Sequence, residues 1–127
     1  MTTRYLTGRQ IADLAALALG ELPVLRDPGL LDSAVHRPQA SMFGHEAYCH
    51  ILIKAAALLH SLATHRPFVT GTARVAWVCT VVFLSYNGVE LDADDDSVCE
   101  LVGAVVAGEF TEVDEIAQIL WGFRAVV

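Results

Sequence analysis

The sequence predicts an all-α fold: one compact domain over residues 1–127, about six helices bundled around a buried central helix. Three observations carry this reading. Apolar residues recur at three- and four-residue spacing through the long segments. Capping residues open those segments, and glycine or proline closes them. No β pattern, internal repeat, linker or low-complexity stretch is visible.

The first helix starts at Leu6-Thr7-Gly8-Arg9-Gln10-Ile11. Thr7 is placed to cap, Gln10 three residues on completes a capping box, and Leu6 with Ile11 forms a hydrophobic staple. The helix is expected to reach Leu19 and stop at Gly20. Asp27-Pro28 opens a short second helix, cap then proline in the first turn, carrying Leu30, Leu31, Ala34 and Val35 until Pro38 ends it. From Glu46 to about Thr64, Tyr48, Ile51, Leu52, Ala55, Ala56, Leu59 and Leu62 recur at helical spacing, and Pro67 prevents continuation. A loop follows, Arg66 to Thr72, and then a helix from about Thr72 to Tyr86 closed by Asn87-Gly88. That segment is apolar on nearly all sides, so it is expected to be the central buried helix. Leu91-Asp92-Ala93-Asp94-Asp95-Asp96 puts acids before and in the first turn of the next helix, where the helix dipole favours them. Capping and solvated surface is the reading taken for this run, over a metal site. Gly108 stops that helix, and Thr111 is expected to cap the last, which carries Val113, Ile116, Ile119, Leu120 and Trp121.

Hydrophobic residues make up 54% of the chain and charged residues 18%, enough apolar material for one core and too little charge for disorder. Acids outnumber Lys and Arg by 15 to 8, for a formal net charge of −7, the wrong balance for a general nucleic-acid binder. No direct nucleic-acid binding is expected, although a local basic phosphate site is compatible with an acidic chain. Cys49, Cys79 and Cys99 are odd in number, have no CxxC spacing and sit in apolar stretches, so buried free thiols are expected. The N-terminus has no signal-peptide pattern, and the apolar run Val75–Leu84 is too short to span a bilayer. A cytoplasmic protein without a membrane partner is expected.

The junction between the long helix and the apolar helix carries the chemistry. A loop of glycine and small polar residues that opens a helix presents backbone N–H groups, which together with the dipole bind anions. Gly71, Thr72 and Ala73 are so placed, and Arg74 can add a bidentate contact to phosphate. His65 and Arg66 stand on the other side of the loop. An ordinary helix–loop–helix corner with a solvated arginine is the plainer reading of the spacing alone. Elsewhere, His60 is read as a packing histidine, and Tyr48 and Trp77 as core or interface residues. His36 and Arg37 are candidates to face the same cleft. His45 and His50, with Glu46, fall off one helix face at i, i+5 and are not expected to hold metal.

Lys54-Ala55-Ala56-Ala57-Leu58-Leu59-His60-Ser61-Leu62, followed by Pro67-Phe68-Val69-x-Gly71-x-x-Arg74-x-Ala76, resembles the core of Doc-type toxins of the Fic/Doc family. Arg26-Asp27-Pro28-Gly29-Leu30-Leu31-Asp32-Ser33-Ala34 with Arg37-Pro38-Gln39 is similar to the family's N-terminal segment. Phe83-Leu84-x-x-Asn87-Gly88-x-x-Leu91-Asp92-Ala93-Asp94-Asp95 is similar to its C-terminal segment, so the resemblance covers nearly the whole chain. It implies a nucleotide-dependent transferase. Fic members transfer AMP from ATP, and Doc-type toxins phosphorylate a translation elongation factor. It also implies control by a separate antitoxin, through an amphipathic helix laid in a surface groove, since no inhibitory Ser-x-x-x-Glu-Gly-Asn helix is visible here.

The family loop reads His-x-Phe-x-(Asp/Asn)-(Gly/Ala)-Asn-(Lys/Gly)-Arg. In it the histidine is the general base and the acidic residue holds magnesium on the nucleotide. The asparagine and loop amides cradle a phosphate that the arginine neutralises. This chain keeps Phe68, Gly71 and Arg74. At the histidine position stands Arg66, which cannot deprotonate in a protein, with His65 one residue early. One residue turns a helical side chain by roughly 100°. The metal position is Thr70, uncharged and a poor magnesium ligand. The asparagine position is Thr72 and the lysine position Ala73. The expected site is therefore His65 and Arg66 for catalysis and Phe68, Thr70, Gly71, Thr72, Ala73 and Arg74 for phosphate, with ATP or another nucleotide as cofactor and no protein-held metal. A Doc-like toxin, a non-catalytic relative acting by binding, and a repurposed enzyme for another phosphate- or carboxylate-bearing substrate all remain compatible with this loop.

Overall fold

A computed structural model of the chain describes residues 3–42, 45–48 and 50–125. Its helices are α1 (Gly8–Leu19), α2 (Pro28–His36), α3 (Ile51–His65), α4 (Thr72–Tyr86), α5 (Asp95–Val106) and α6 (Val113–Gly122). A 3-10 turn, Arg37–Gln39, extends α2 through Pro38. The fold is all-α but for one two-residue hairpin, β1 (Ser41–Met42) and β2 (His45–Glu46), with Ser41 opposite Glu46.

Most helix boundaries follow their local chemistry. The Thr7 hydroxyl accepts from the Gln10 amide at 3.1 Å, and the Gln10 side chain accepts from the Thr7 amide at 2.9 Å, closing the capping box. Gly20 ends α1 in the left-handed conformation, with φ 72°. The Asp27 carboxylate caps α2 through the Gly29 amide at 2.8 Å. Asp94 caps α5 by accepting from the Ser97 hydroxyl and amide, and those two bonds hold its carboxyl below the usual carboxylate range.

Three expectations about the helices need correction. The long helix begins at Ile51 rather than Glu46, because the hairpin takes residues 45–46 and the Ala47 amide donates to Ala40 at 2.8 Å. The His50 ring then caps α3 by accepting from the Leu52 amide. Glu112 rather than Thr111 occupies the cap position of α6, with no side-chain bond. The central helix is α3, not α4. Ten α3 residues from Leu52 to Ala63 are buried, and α3 packs on α2, α4, α5 and α6. α4 has the expected bounds, but Val78, Val81 and Val82 are only half-buried, since α1, α3 and α5 leave one of its faces partly open.

The core is one cluster that includes Ile11, Leu58, Leu59, Leu62, Phe83, Leu84, Ile116 and Leu120. Lys54 is buried within it, and its ammonium donates to the Tyr5 hydroxyl at 2.8 Å. Cys79 is buried as expected, but Cys99 is exposed, because its position on α5 faces away from the core. Cys49 lies outside the described residues. Trp121 is also half-exposed rather than core, with the Arg124 guanidinium stacked 3.4 Å above its ring.

Candidate functional site

The loop from α3 to α4 is held in place by a second strand-like segment. The Arg26 amide donates to the Pro67 carbonyl at 2.7 Å, and the Val69 amide donates to the Val24 carbonyl at 2.9 Å, so Leu25 and Phe68 lie opposite one another. Phe68 is buried and anchors the loop in the core. The Arg26 side chain adds two bonds, Nε to the Arg66 carbonyl at 2.9 Å and Nη2 to the His65 carbonyl at 2.6 Å. These satisfy carbonyls that the end of α3 would otherwise leave open.

Arg66 closes α3 with φ 49°, the only positive φ outside glycine among the described residues. A left-handed arginine is costly unless its surroundings hold it. Here its carbonyl is bound by Arg26, and its own Nη2 donates to the Val106 carbonyl at the end of α5 at 3.4 Å. His65 is the last helical residue. Its Nδ1 lies 2.9 Å from the Ser61 carbonyl and 3.1 Å from the Ser61 hydroxyl, so the ring folds back onto its own helix.

Gly71 starts α4, with φ 78°. A β-carbon there would sit 2.3 Å from Leu19 Cδ2, so both the backbone conformation and the contact with α1 require glycine. No side chain caps α4, so its first amides face outward at the positive end of the helix. Arg74 is exposed, and its Nη1 donates to the Ala18 carbonyl at 3.3 Å. That bond leans the guanidinium against the end of α1 and leaves its other N–H groups available.

The loop forms one wall of a cleft of about 710 Å³. Thr70, Gly71, Thr72, Ala73 and Arg74 line it together. His65, Arg66 and Phe68 do not line it. The remaining lining comes from Leu19, Trp77, Val98, Cys99, Val102 and Gly103, none of which the sequence reading had assigned to a site, Trp77 being read as core or interface and Cys99 as a buried thiol. Trp77 had a local signal, an aromatic residue one turn beyond Arg74. The α5 residues had none, because only tertiary packing brings α5 beside the loop. Polar donors at one end and apolar walls at the other suit an anionic group attached to an apolar body.

His36 stands apart from this cleft. It is exposed, with Nδ1 bonded to the Asp32 carbonyl at 2.8 Å, and it lines a separate groove with Tyr5 and Leu31. Arg37 turns instead to His60 and Tyr48, donating from Nη1 to His60 Nδ1 and from Nε to the Tyr48 hydroxyl, each at 3.0 Å. Burial, and then the Arg37 charge, pull the His60 pKa below its ordinary value, so the ring is held neutral and accepts from the guanidinium. No group of three or more His, Cys, Asp or Glu among the described residues is arranged to hold a metal. No described helix is long and apolar enough to cross a membrane.

Comparison with known proteins adds two findings. A family model described as the Fic/DOC family matches residues 4–84, from the segment before α1 to near the end of α4. The chain is also similar to a protein of Mycolicibacterium smegmatis named Toxin Doc. The two are 43% identical over 124 residues, 97% of this chain and 95% of the relative. The second alignment includes α5, the far wall of the cleft.

Proposed function

The chain belongs to the Fic/Doc family, and from that premise we propose that it is the toxin-type member of a toxin–antitoxin pair that holds a nucleotide phosphate at the Gly71–Arg74 loop but transfers it poorly. The observation that carries this reading is the α4 junction. An uncapped helix start, a glycine fixed by two constraints and an arginine with unused donors converge on one cleft. Amides and guanidinium together neutralise a phosphate without a metal. Catalysis asks for more. A base must reach the attacking hydroxyl, and the leaving charge must be stabilised. Arg66 cannot serve as the base, and Thr70 offers no carboxylate to magnesium. The target class is that of the Doc-type toxins, a translation elongation factor. The inhibitor is an amphipathic antitoxin helix, and the exposed Leu17, Leu22, Val24 and Val69 supply apolar surface for it near the loop.

One observation favours a second reading, a relative that acts by binding alone. The nitrogen of His65 nearest the helix is engaged by Ser61, and Arg66 reaches Val106 at the end of α5, so both side chains have structural partners.

Calorimetric titration with ATP, with and without magnesium, tests the phosphate site. Binding is expected to weaken at least tenfold in Arg74→Ala and to change little on adding a chelator. Unchanged affinity in Arg74→Ala would remove the site.

A further inference from the structure

A groove of about 430 Å³ lies between the start of α3 and α6, and it shares no residue with the cleft at the Gly71–Arg74 loop. Its floor is apolar: Leu52 and Ala117 are buried, and Ile53 is half-buried. Along its rim Asp114, Gln118 and Trp121 recur at i, i+4 and i+7, one exposed stripe of α6. Trp121 is 52% exposed, unusual for an indole, whose large apolar surface is mostly buried in folded chains. Its ring is nevertheless braced. The Arg124 guanidinium, which does not line the groove, stacks 3.4 Å above it, and the His50 ring stands 6.3 Å away, tilted by 56°. His50 Nδ1 accepts from the Leu52 amide, so Nε2 carries the ring proton and is a second donor in the groove beside the Gln118 amide.

We propose that this groove docks a partner's peptide segment in which a Lys or Arg stands two residues from an aliphatic side chain. The basic side chain pairs with Asp114, and the aliphatic one lies between Trp121 and Ile53. Charge decides the sign. From residue 75 to residue 123 the sequence has ten acids and no Lys, Arg or His. This part of the molecule therefore attracts basic segments and repels acidic ones, the like face of a second copy among them. Spacing sets the register. Asp114 and Trp121 are two turns apart, about 10.5 Å along the axis of α6. Side chains two residues apart leave the same side of an extended peptide about 6.7 Å from one another, and the long arm of Lys or Arg covers the rest. Exposure favours a peptide over a free amine. Small-molecule sites enclose most of the ligand's surface, whereas His50, Asp114, Gln118 and Trp121 are all exposed. Tryptophans held in place in this way anchor protein interfaces at low entropic cost. α6 lies beyond the residues that the family model matches, and the inference does not depend on the phosphate site.

The test follows chemical shifts of the isotope-labelled native protein by NMR as the peptide acetyl-Gly-Leu-Ser-Arg-Gly-amide is added. The indole N–H of Trp121 and the backbone amides of Asp114 and Gln118 are expected to shift together, while those of Gly71 and Thr72 stay in place. Replacing the peptide's arginine by citrulline, which keeps the shape and removes the charge, should weaken binding about threefold, the scale of an exposed ion pair. Asp114→Asn should remove that difference, and Gln118→Arg should abolish binding of the arginine peptide by putting a cation in the groove. Equal binding of the arginine and citrulline peptides by the native protein overturns the charge pairing and with it the proposal. A response to agmatine, a free guanidinium, as strong as that to the peptide overturns the peptide as occupant. No shift at Trp121 overturns the groove as a docking site. Should either variant fail to fold, the comparison of peptides on the native protein still decides.

Discussion

Gly71 carries two demands that no other residue meets together: a left-handed backbone and a close approach to Leu19. Gly71→Ala is expected to cost roughly 1–2 kcal/mol for the backbone conformation alone, with the Leu19 clash adding to it. A lowered urea midpoint together with weakened phosphate binding checks this. The two described cysteines differ in kind. Burial pushes the Cys79 thiol up to about 12, so it is inert at neutral pH, whereas Cys99 is exposed in the cleft. Iodoacetamide is expected to label Cys99 and spare Cys79, read peptide by peptide in a mass spectrometer. A bound nucleotide should slow the labelling of Cys99, and unaltered labelling at saturating nucleotide would place the ligand elsewhere. These contrasts were only half legible in the sequence. The three cysteines look alike there, each among apolar neighbours, and exposure was decided by which face of α5 met the core.

At the scale of elements, the braces between helices matter most. His60 on α3 ties the 3-10 turn, through Arg37, to Tyr48 just after the hairpin. Its folded pKa lies below the ordinary histidine value, first because of burial and then because of Arg37. The sign follows. With the folded pKa depressed, the folded state binds fewer protons than the unfolded state, so stability falls as pH drops below about 6.5. The ring is only partly buried, so the slope should be shallow. Urea midpoints from pH 7.5 down to 5 are expected to fall less in His60→Gln, which keeps an acceptor but cannot titrate. Element boundaries were legible where a local signal set them. Thr7 with Gln10, Asp27 with Pro28, and Asp94 with Ser97 are bonded as the sequence suggests. The start of α3 was not, because residues 45–46 take part in hairpin pairing, a tertiary choice that overrides helical spacing. The identity of the central helix also escaped. α4 is the more uniformly apolar by sequence, but α3, with Lys54, His60 and Ser61 among its residues, lies between more neighbours.

Across the whole molecule, the proposed reading separates the fold from the reaction. The Fic/Doc family match runs from α1 to near the end of α4, and the loop between α3 and α4 carries Phe68, Gly71 and Arg74. At the positions where the family resemblance puts base, metal and cradle stand Arg66, Thr70 and Thr72. A fold retained with a depleted site is physically reasonable, because packing and chemistry rest on different residues. The loop's departures from the family pattern are matters of sequence alone. The cleft was not, since its other wall comes from α5, some 25 residues further along the chain.

The most direct test compares group transfer by the native loop with transfer by a rebuilt one, Arg66→His, Thr70→Asp, Thr72→Asn and Ala73→Lys together. Residues that act as a unit must be restored as a unit, and histidine is among the residues that tolerate a left-handed backbone. Purified elongation factor is incubated with ATP labelled at the α- or the γ-phosphate, and label on the factor is counted. The native protein is expected to run near background and the rebuilt loop about 10²-fold or more above it, the scale of a restored base. Strong transfer by the native protein that His65→Ala abolishes would contradict this account and identify the shifted histidine as the base.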